Sequence, residues 1–510
     1  MADTPLILRG ARVLESPELA CDRQPRDLLI ADGRLRAIAP AGSLNDPSAI
    51  VVDLADHLLV PGLINSHQHS HEHFQRGRTE NLPLELWMNL VRTRTPVNLT
   101  SRQIYLRTMI GAIEALRTGC TTIVDDLAVG PVASRERIEP VLAAYRDSGV
   151  RALLGFSMMD KPVIDNFPFA DESFPADLAA ELRSAPRPSP QSYQSLIRDL
   201  VAEGHHPQGS RIGVLVAPSA PPRWSEAFLI SLRRLADELA LPVITHVQET
   251  RLQVVTGQLF YGVPIVEYLD RIGFLKPATS LIHAVWLNPR EIDALARSGA
   301  PAQHNPWSTL TLASGVQPTR ELLEAGVNLS LGSDGSCSTV TTNMLNVLAS
   351  AAGVSKLRGD DPGRWLSARE ALSAGTAGGA RALGFGVSLG VIEVGARADL
   401  FGCRTDTETF APFNDPVRQL VYAERGAGVA FAMVDGRIAM QDGRLTLIDE
   451  GAILREIEAE FQALAEQYDA AEASVAPVLA AVEKLYRRAL ATAIPRDTYP
   501  ARLADRGSGL

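Results

Sequence analysis

The segment NSHQHSHEHFQRG, residues 65–77, places His67, His69, His71 and His73 within seven positions of a chain that has ten histidines in all. Imidazole binds transition metals and carries protons near neutral pH, so the segment raises metal chemistry first. In a β-strand the side chains at i and i+2 share a face. An apolar approach, HLLVPGLIN, leads into His67. His67 and His69 are therefore expected to point together from a buried strand end. His71 and His73 follow the strand, where a turn or helix begins, and are expected to line the pocket or its loop rather than bind the ion.

A metal centre needs further donors. LPVITHVQE carries His246 and Glu249, TSLIHAVWL carries His283, APAQHNP carries His304, and VNLSLGSDG carries Asp334. Each alone has a bland reading, since a lone histidine is more often a hydrogen-bonded core residue and a lone SDG a turn. Their recurrence at the ends of successive apolar runs favours one shared site. His67, His69, His246 and Asp334 supply three imidazoles and a carboxylate. That set suits Zn²⁺, with Fe²⁺ as the alternative, and leaves a position for water. Glu249, three residues beyond His246, is expected to take a proton from that water and return it to a leaving group. His283 is expected to orient the water or the substrate, with metal ligation as its alternative.

One divalent ion per chain is expected. A second would need a bridging group, and none of Lys161, Lys276, Lys356 and Lys484, nor any glutamate, ends the run IGVLVAPSAP. The candidate substrate contacts are Glu72, His73, Trp87, His304 and Ser338, with Phe74 and Trp87 as covers for a flat ring. Glu72 is equally placed for a surface ion pair with Arg76 at helical i,i+4 spacing.

Elements that place these residues follow from periodicity. Apolar strand-like runs at 121–126, 150–160, 212–218, 241–247, 279–287, 300–306 and 327–335, with the run ending at His69, make eight strands. Amphipathic stretches such as FLISLRRLADELA alternate with them. Eight βα units predict an α/β chain whose residues 61–386 form a (β/α)₈ TIM-type barrel, with a helical insertion near 161–211. In such a barrel the C-terminal strand ends share one mouth, which is where the listed chemistry falls. Short strands with Asp-Gly turns at Asp32-Gly33 and Asp435-Gly436 predict that 1–60 and 387–446 combine into a small composite β-sandwich domain. Residues 447–510 read as a helical tail.

Of the 510 residues 46% are apolar and 21% charged, with a formal net charge of -10. This is a globular composition without the basic footprint of a nucleic-acid binder. Cys21, Cys120, Cys337 and Cys403 are widely separated and match no disulfide or CxxC pattern. The N-terminus has no signal-peptide pattern, and no uncharged run approaches the ~20 residues of a membrane span. A cytoplasmic protein acting on a small molecule, with no membrane or nucleic-acid partner, is expected.

The motifs together resemble the amidohydrolase superfamily, in its cytosine deaminase-like and s-triazine chlorohydrolase-like branch. VPGLINSHQH is similar to a PGLxxxHxH entry, RGRTENLPLELWM to an RGxxxxLPLxxWL loop, and THVQE to HxxE. LIHAVWL, HNPWSTLTLASG and LGSDG are similar to the later motifs of that branch, and the resemblance covers nearly the whole chain. It implies the ligand set above, Glu249 as acid and base, His283 as the orienting histidine, and a homodimer or higher homo-oligomer. Ser308-Thr309 and the segment SCSTVTTNM depart from the pattern where substrate is read. The implied activity is hydrolysis at an sp² carbon of a nitrogen heterocycle by hydroxide held on one ion, releasing amine, ammonia or halide. Hydrolysis of an acyclic urea, carbamate or amide is the alternative, and a non-catalytic barrel scaffold is the rival from another class.

Overall fold

A computed structural model describes residues 4–15, 22–93, 97–128 and 134–501. Cys21 and residues 502–510 of the expected tail lie outside the described residues. The fold is mixed α/β. Its first strands are β1 (Leu6–Val13), β2 (Asp22–Ala31), β3 (Arg34–Pro40), β4 (Ile50–Asp53) and β5 (His57–Pro61). The middle holds β6 (Leu63–Gln68), β7 (Cys120–Leu127), β8 (Arg151–Phe156), β9 (Ile212–Val214), β10 (Val243–Val247), β11 (Thr279–His283), β12 (Ala302–His304) and β13 (Leu329–Leu331). The last are β14 (Leu400–Arg404), β15 (Val429–Val434), β16 (Arg437–Gln441) and β17 (Arg444–Leu445).

Strands from the two ends of the chain join one nine-stranded sheet, in the order β17-β16-β15-β14-β5-β1-β2-β3 with β4 also on β1. Both Asp-Gly pairs form tight hairpin turns with left-handed backbones, φ 52° and 69° at Asp32-Gly33 and φ 52° and 76° at Asp435-Gly436. The two turns abut, so a Cβ on Gly33 would stand 3.0 Å from the Asp435 carbonyl oxygen. Leu28, Leu35, Leu59, Leu400, Phe431 and Met433, drawn from both ends, share one buried apolar cluster.

The eight middle strands run parallel with intervening helices, as two four-stranded sheets, β6-β7-β8-β9 and β10-β11-β12-β13. The expected single ladder is interrupted at its seams. β9, β12 and β13 have three residues each, which limits the ladder they can form. A single parallel bridge, Val216 to Val243, links the two sheets. Across the other seam the Asp334 N–H donates to the His67 carbonyl at 3.0 Å. Ile64, Val124, Leu153, Leu215, Ile244 and Ile282, each from a successive strand or the residue just after one, form their own buried cluster.

Residues 161–211 contain the helices Ala170–Ser173, Ala176–Ser184 and Pro190–Ala202. The tail is two helices, Glu450–Ala473 and Ala476–Ala491. Leu464 and Tyr468 of the first pack on Phe74 and Leu106, while Val482 and Leu485 of the second pack on Leu252 and Val255. Among the described residues no helix is long and apolar enough to cross a membrane.

Candidate active site

Alternation along the strands delivers the site. Val124 and Ile244 belong to the inner apolar cluster. Two residues on, Asp126 and His246 share their face and emerge at the C-terminal strand ends. Backbone conformation there is unusual: Gln248, His283 and Asp334 adopt φ of 53°, 70° and 66°. Such left-handed non-glycine residues cluster where surrounding packing holds a functional geometry.

His67, His69, His246 and Asp334 converge. The Nε2 atoms of His67 and His69 lie 3.5 and 3.4 Å from Asp334 Oδ1. The His67 ring centroid is 4.5 Å from that of His69 and 4.8 Å from that of His246. Donor atoms of His67, His69 and Asp334 fall within 4.8 Å of one another, as do those of His67, His246 and His283.

The environment of these donors suits a divalent cation. His69 Nδ1 contacts the Asp126 carbonyl at 2.7 Å and His246 Nδ1 the Ser219 carbonyl at 2.6 Å. A carbonyl only accepts, so each Nδ1 carries the proton and each Nε2 keeps its lone pair. Burial, followed by the neighbouring His67, holds His69 and His246 well below the usual imidazole range, as neutral imidazoles. His67 is 0% exposed, and neither ring nitrogen has a hydrogen-bond partner. Burial opposes ionisation of Asp334, yet the neighbouring His67 and His283 imidazoles hold its carboxyl well below its ordinary range. Its oxygens accept from Ser308 Oγ at 2.6 Å and from the Gly335 N–H at 2.8 Å.

Glu249 and His283 stand beside this set. His283 Nε2 is 3.6 Å from Glu249 Oε2 and 3.8 Å from Asp334 Oδ2. Burial first, then Asp334 and Glu85, push the Glu249 carboxyl well above its ordinary range. Asn305 fixes the His283 tautomer. Its Oδ1 accepts from Gln303, which leaves Nδ2 to donate to His283 Nδ1 at 3.3 Å. His283 therefore presents Nε2–H toward Glu249 and Asp334.

The remaining expected residues divide. Trp87 lines the cavity over the site, together with His69, His246, Glu249, His283 and Asp334. Glu72, His73, His304 and Ser338 are absent from that lining. Residues 70–75 form a tight 3₁₀ turn that sends successive side chains in different directions. Glu72 is buried behind the site, where its Oε2 accepts from the Cys337 N–H at 3.4 Å, and burial raises its carboxyl to about 8. The Glu72–Arg76 surface pair does not form, because Arg76 reaches Glu114 at 2.6 Å. His73 Nδ1 meets the Arg107 carbonyl at 2.9 Å, with its ring over Gly111, where a Cβ would come within 2.1 Å of it. His71 Nδ1 accepts from the Ala128 N–H, and its ring centroid is 5.2 Å from that of His69. Phe74 packs under the tail helix rather than over the cavity. His304 is 0% exposed at the end of β12, and Ser338 Oγ donates to the Gly335 carbonyl.

Sequence reasoning missed Asp126, Glu85, Arg92 and Arg223. Asp126 is buried with both oxygens unpartnered, 3.8 Å from His246 Nδ1, and burial raises it to about 6. Its signal was available, since TTIVDD puts Asp126 in register with Val124. Glu85, Met88 and Arg92 follow one helical stripe, i, i+3 and i+7, along Leu84–Val91 and its cap.

The amidohydrolase family profile matches residues 58–439, most of the chain. The chain belongs to the amidohydrolase family. It is a hydrolase. It is similar to the 5'-deoxyadenosine deaminase of Methanothermobacter thermautotrophicus, 31% identical over 459 residues that cover 90% of this chain and 98% of that one. The 5-methylthioadenosine/S-adenosylhomocysteine deaminase of Thermococcus kodakarensis is 33% identical over 437 residues, 85% of this chain and 94% of that one. Among solved structures, a zinc-bound adenosine deaminase from Xanthomonas campestris superposes with a TM-score of 0.77 at 27% identity, over 90% of this chain and 98% of that one. An atrazine chlorohydrolase from Arthrobacter aurescens, complexed with zinc, superposes at 0.79 with 26% identity, over 89% of this chain and all of that one. Deaminases and a triazine chlorohydrolase are the relatives that the motif resemblance implied.

Proposed function

We propose that this amidohydrolase hydrolyses a carbon–nitrogen or carbon–halide bond at an sp² carbon of a nitrogen heterocycle, using one divalent ion, Zn²⁺ before Fe²⁺. The observation that carries the reading is the meeting of Glu249 and His283, 3.6 Å apart, with the donor set of His67, His69, His246 and Asp334. These four would hold the ion. When bound, it acts as a Lewis acid that brings the pKa of water toward neutrality.

The chain's own groups do the rest. Glu249, buried beside Asp334 and Glu85, takes the proton from the attacking water and passes it to a departing amine, whereas a halide leaves as the anion. His283, whose Nδ1 accepts from Asn305, directs Nε2–H at the charge that develops on the attacked ring. Trp87 offers a flat apolar wall for a ring. Burial of the cavity floor limits competing water.

The supporting architecture is part of the proposal. The two parallel sheets close into one (β/α)₈ barrel spanning 61–386, supported by the Val216–Val243 bridge, the Asp334–His67 contact and the shared inner cluster. Residues 1–60 and 387–446 form a composite β-sandwich domain, supported by their common sheet and apolar cluster, and 447–510 form the tail.

The test combines metal analysis with ammonia and halide release from a panel of amino- and chloro-substituted purines, pyrimidines and triazines. Turnover of a member of the panel, lost in His246→Ala together with metal, is the expected result. Absence of turnover on the whole panel by metal-loaded protein overturns the heterocycle reading.

A further inference from the structure

One wall of the cavity carries charge that the proposed chemistry does not use. Arg92, at the end of the helix Leu84–Val91, and Arg223, in the turn Pro221–Arg223 after β9, both line this cavity of about 160 Å³. Arg223 donates from Nη1 to Ser219 Oγ at 2.6 Å and from Nη2 to Met88 Sδ at 3.0 Å, a neutral hydroxyl and a thioether. Among the described residues neither guanidinium forms an ion pair, and that of Arg92 makes no hydrogen bond, its Nε being buried without a partner.

Many arginines elsewhere in the chain are paired. Arg102, Arg117 and Arg198 each meet a glutamate, even on the surface. Of the carboxylates near the two cavity arginines, Asp126 lends its charge to both without an ion pair to either among the described residues, and the others are engaged otherwise. Glu85 accepts from the Thr250 hydroxyl at 2.6 Å, Glu249 faces His283, and Asp334 accepts from Ser308. Burial, and then the like charge of Arg92, hold the Arg223 guanidinium down to about 10. Desolvated cations without a carboxylate at ion-pair distance are costly, and a fold retains them where a ligand supplies that partner. The guanidinium fork matches a carboxylate in particular.

We propose that Arg92 and Arg223 form an anion subsite that selects substrates bearing a carboxylate beside the ring. The proposal rests on reading this cavity as the substrate site and narrows its substrate class. The two arginines set specificity. They touch the substrate's side arm rather than its reacting carbon.

Isothermal titration calorimetry on the metal-loaded full chain tests the subsite with benzoate and benzamide, near-isosteres that differ in charge. Benzoate is expected to bind at least tenfold more tightly. Arg92→Gln and Arg223→Gln should each reduce that preference, and the double exchange should abolish it. Coordination of benzoate by the ion survives the double exchange, so a preference that persists there overturns the subsite. Equal binding of the two probes by the native chain, including binding of neither, overturns it as well. Arg92 is only part-buried, and its single variant decides the matter if Arg223→Gln does not fold. The heterocycle reading fails separately: no turnover on the panel with the benzoate preference intact removes that reading and leaves an anion subsite.

Discussion

Two buried polar clusters sit at opposite ends of the parallel strands, and they are built to opposite rules. At the start of β8, Arg151 holds Asp399 through Nε and Nη2 at 2.8 and 2.9 Å and reaches Asp435 at 3.0 Å. The Asp435 N–H donates to Asp399 at 2.8 Å, and Arg397 adds a second contact to Asp435 at 3.1 Å. Each carboxylate there meets a cation, although Arg151 Nη1 and Arg397 Nε are left without a partner. At the C-terminal strand ends, His67 has two unpartnered ring nitrogens and Asp126 two unpartnered oxygens, and neither Arg92 nor Arg223 meets a carboxylate at ion-pair distance among the described residues. A buried network satisfied by the protein fixes geometry, whereas one left short of partners is completed by something that binds. The lower cluster is structural, tying the parallel strands to the sheet made by the chain ends. The upper one is the cluster that the proposed chemistry uses.

The contrast is tested most severely at Glu249. Glu249→Gln keeps shape but cannot accept a proton at neutral pH, so kcat should fall roughly 10²–10⁴-fold while metal per chain is unchanged. Near-normal turnover by the fully metallated variant would remove Glu249 as the proton carrier. Folding stability should hardly move, because no satisfied network is broken.

Arg151→Ala should show the reverse pattern. It leaves Asp399, at 1% exposure, without its cation while Asp435 keeps Arg397, and loss of one partner from such a buried pair typically costs about 3–5 kcal/mol. Urea unfolding measures this. A change within about 0.5 kcal/mol would mean that the cluster is not a structural tie. At sub-denaturing conditions the site geometry, and metal content, should survive.

Metal content divides the opening histidines. His69→Ala removes a proposed ligand and should lower metal per chain sharply. His71→Ala and His73→Ala should leave it nearly intact, since His73 is held by the Arg107 carbonyl and His71 by the Ala128 N–H. Equal loss in all three would extend the binding set along the 3₁₀ turn.

The pattern of what could be read from sequence follows the same physics. Strand alternation has period two, so placing one residue of LPVITHV in the interior places His246 as well. The Asp-Gly pairs at 32–33 and 435–436 have a backbone preference strong enough to set their hairpins locally. Residues 70–93 have no such period. There Glu72 turns to the Cys337 N–H, His73 to the helix Ser101–Arg117 and Phe74 to the tail helix, two of these partners lying hundreds of positions away. The helical spacing suggested for Glu72 and Arg76 failed because the segment winds as 3₁₀ and Glu114 captures the arginine. Arg223 lay in a proline-rich turn, where sequence gives no facing direction.

A pH dependence in the upper cluster gives the last test. Burial places Glu72 at about 8 in the folded chain, against 4.5 for an ordinary glutamate. Between those values the folded state binds the proton and the unfolded state does not. The group's contribution is thus fully present below about pH 4.5 and is lost as pH rises through 8, with a slope of at most roughly 1.4 kcal/mol per pH unit. Glu72→Gln removes the titration while keeping a neutral, similarly shaped side chain. In chelated protein, where no cation biases the carboxyl, the wild-type stability should fall relative to the variant across that window. Denaturant unfolding at pH 5, 7 and 9 measures the difference. Parallel stability curves would show that Glu72 ionises in the fold as it does in water, and that its charge is answered there as fully as those of Asp399 and Asp435.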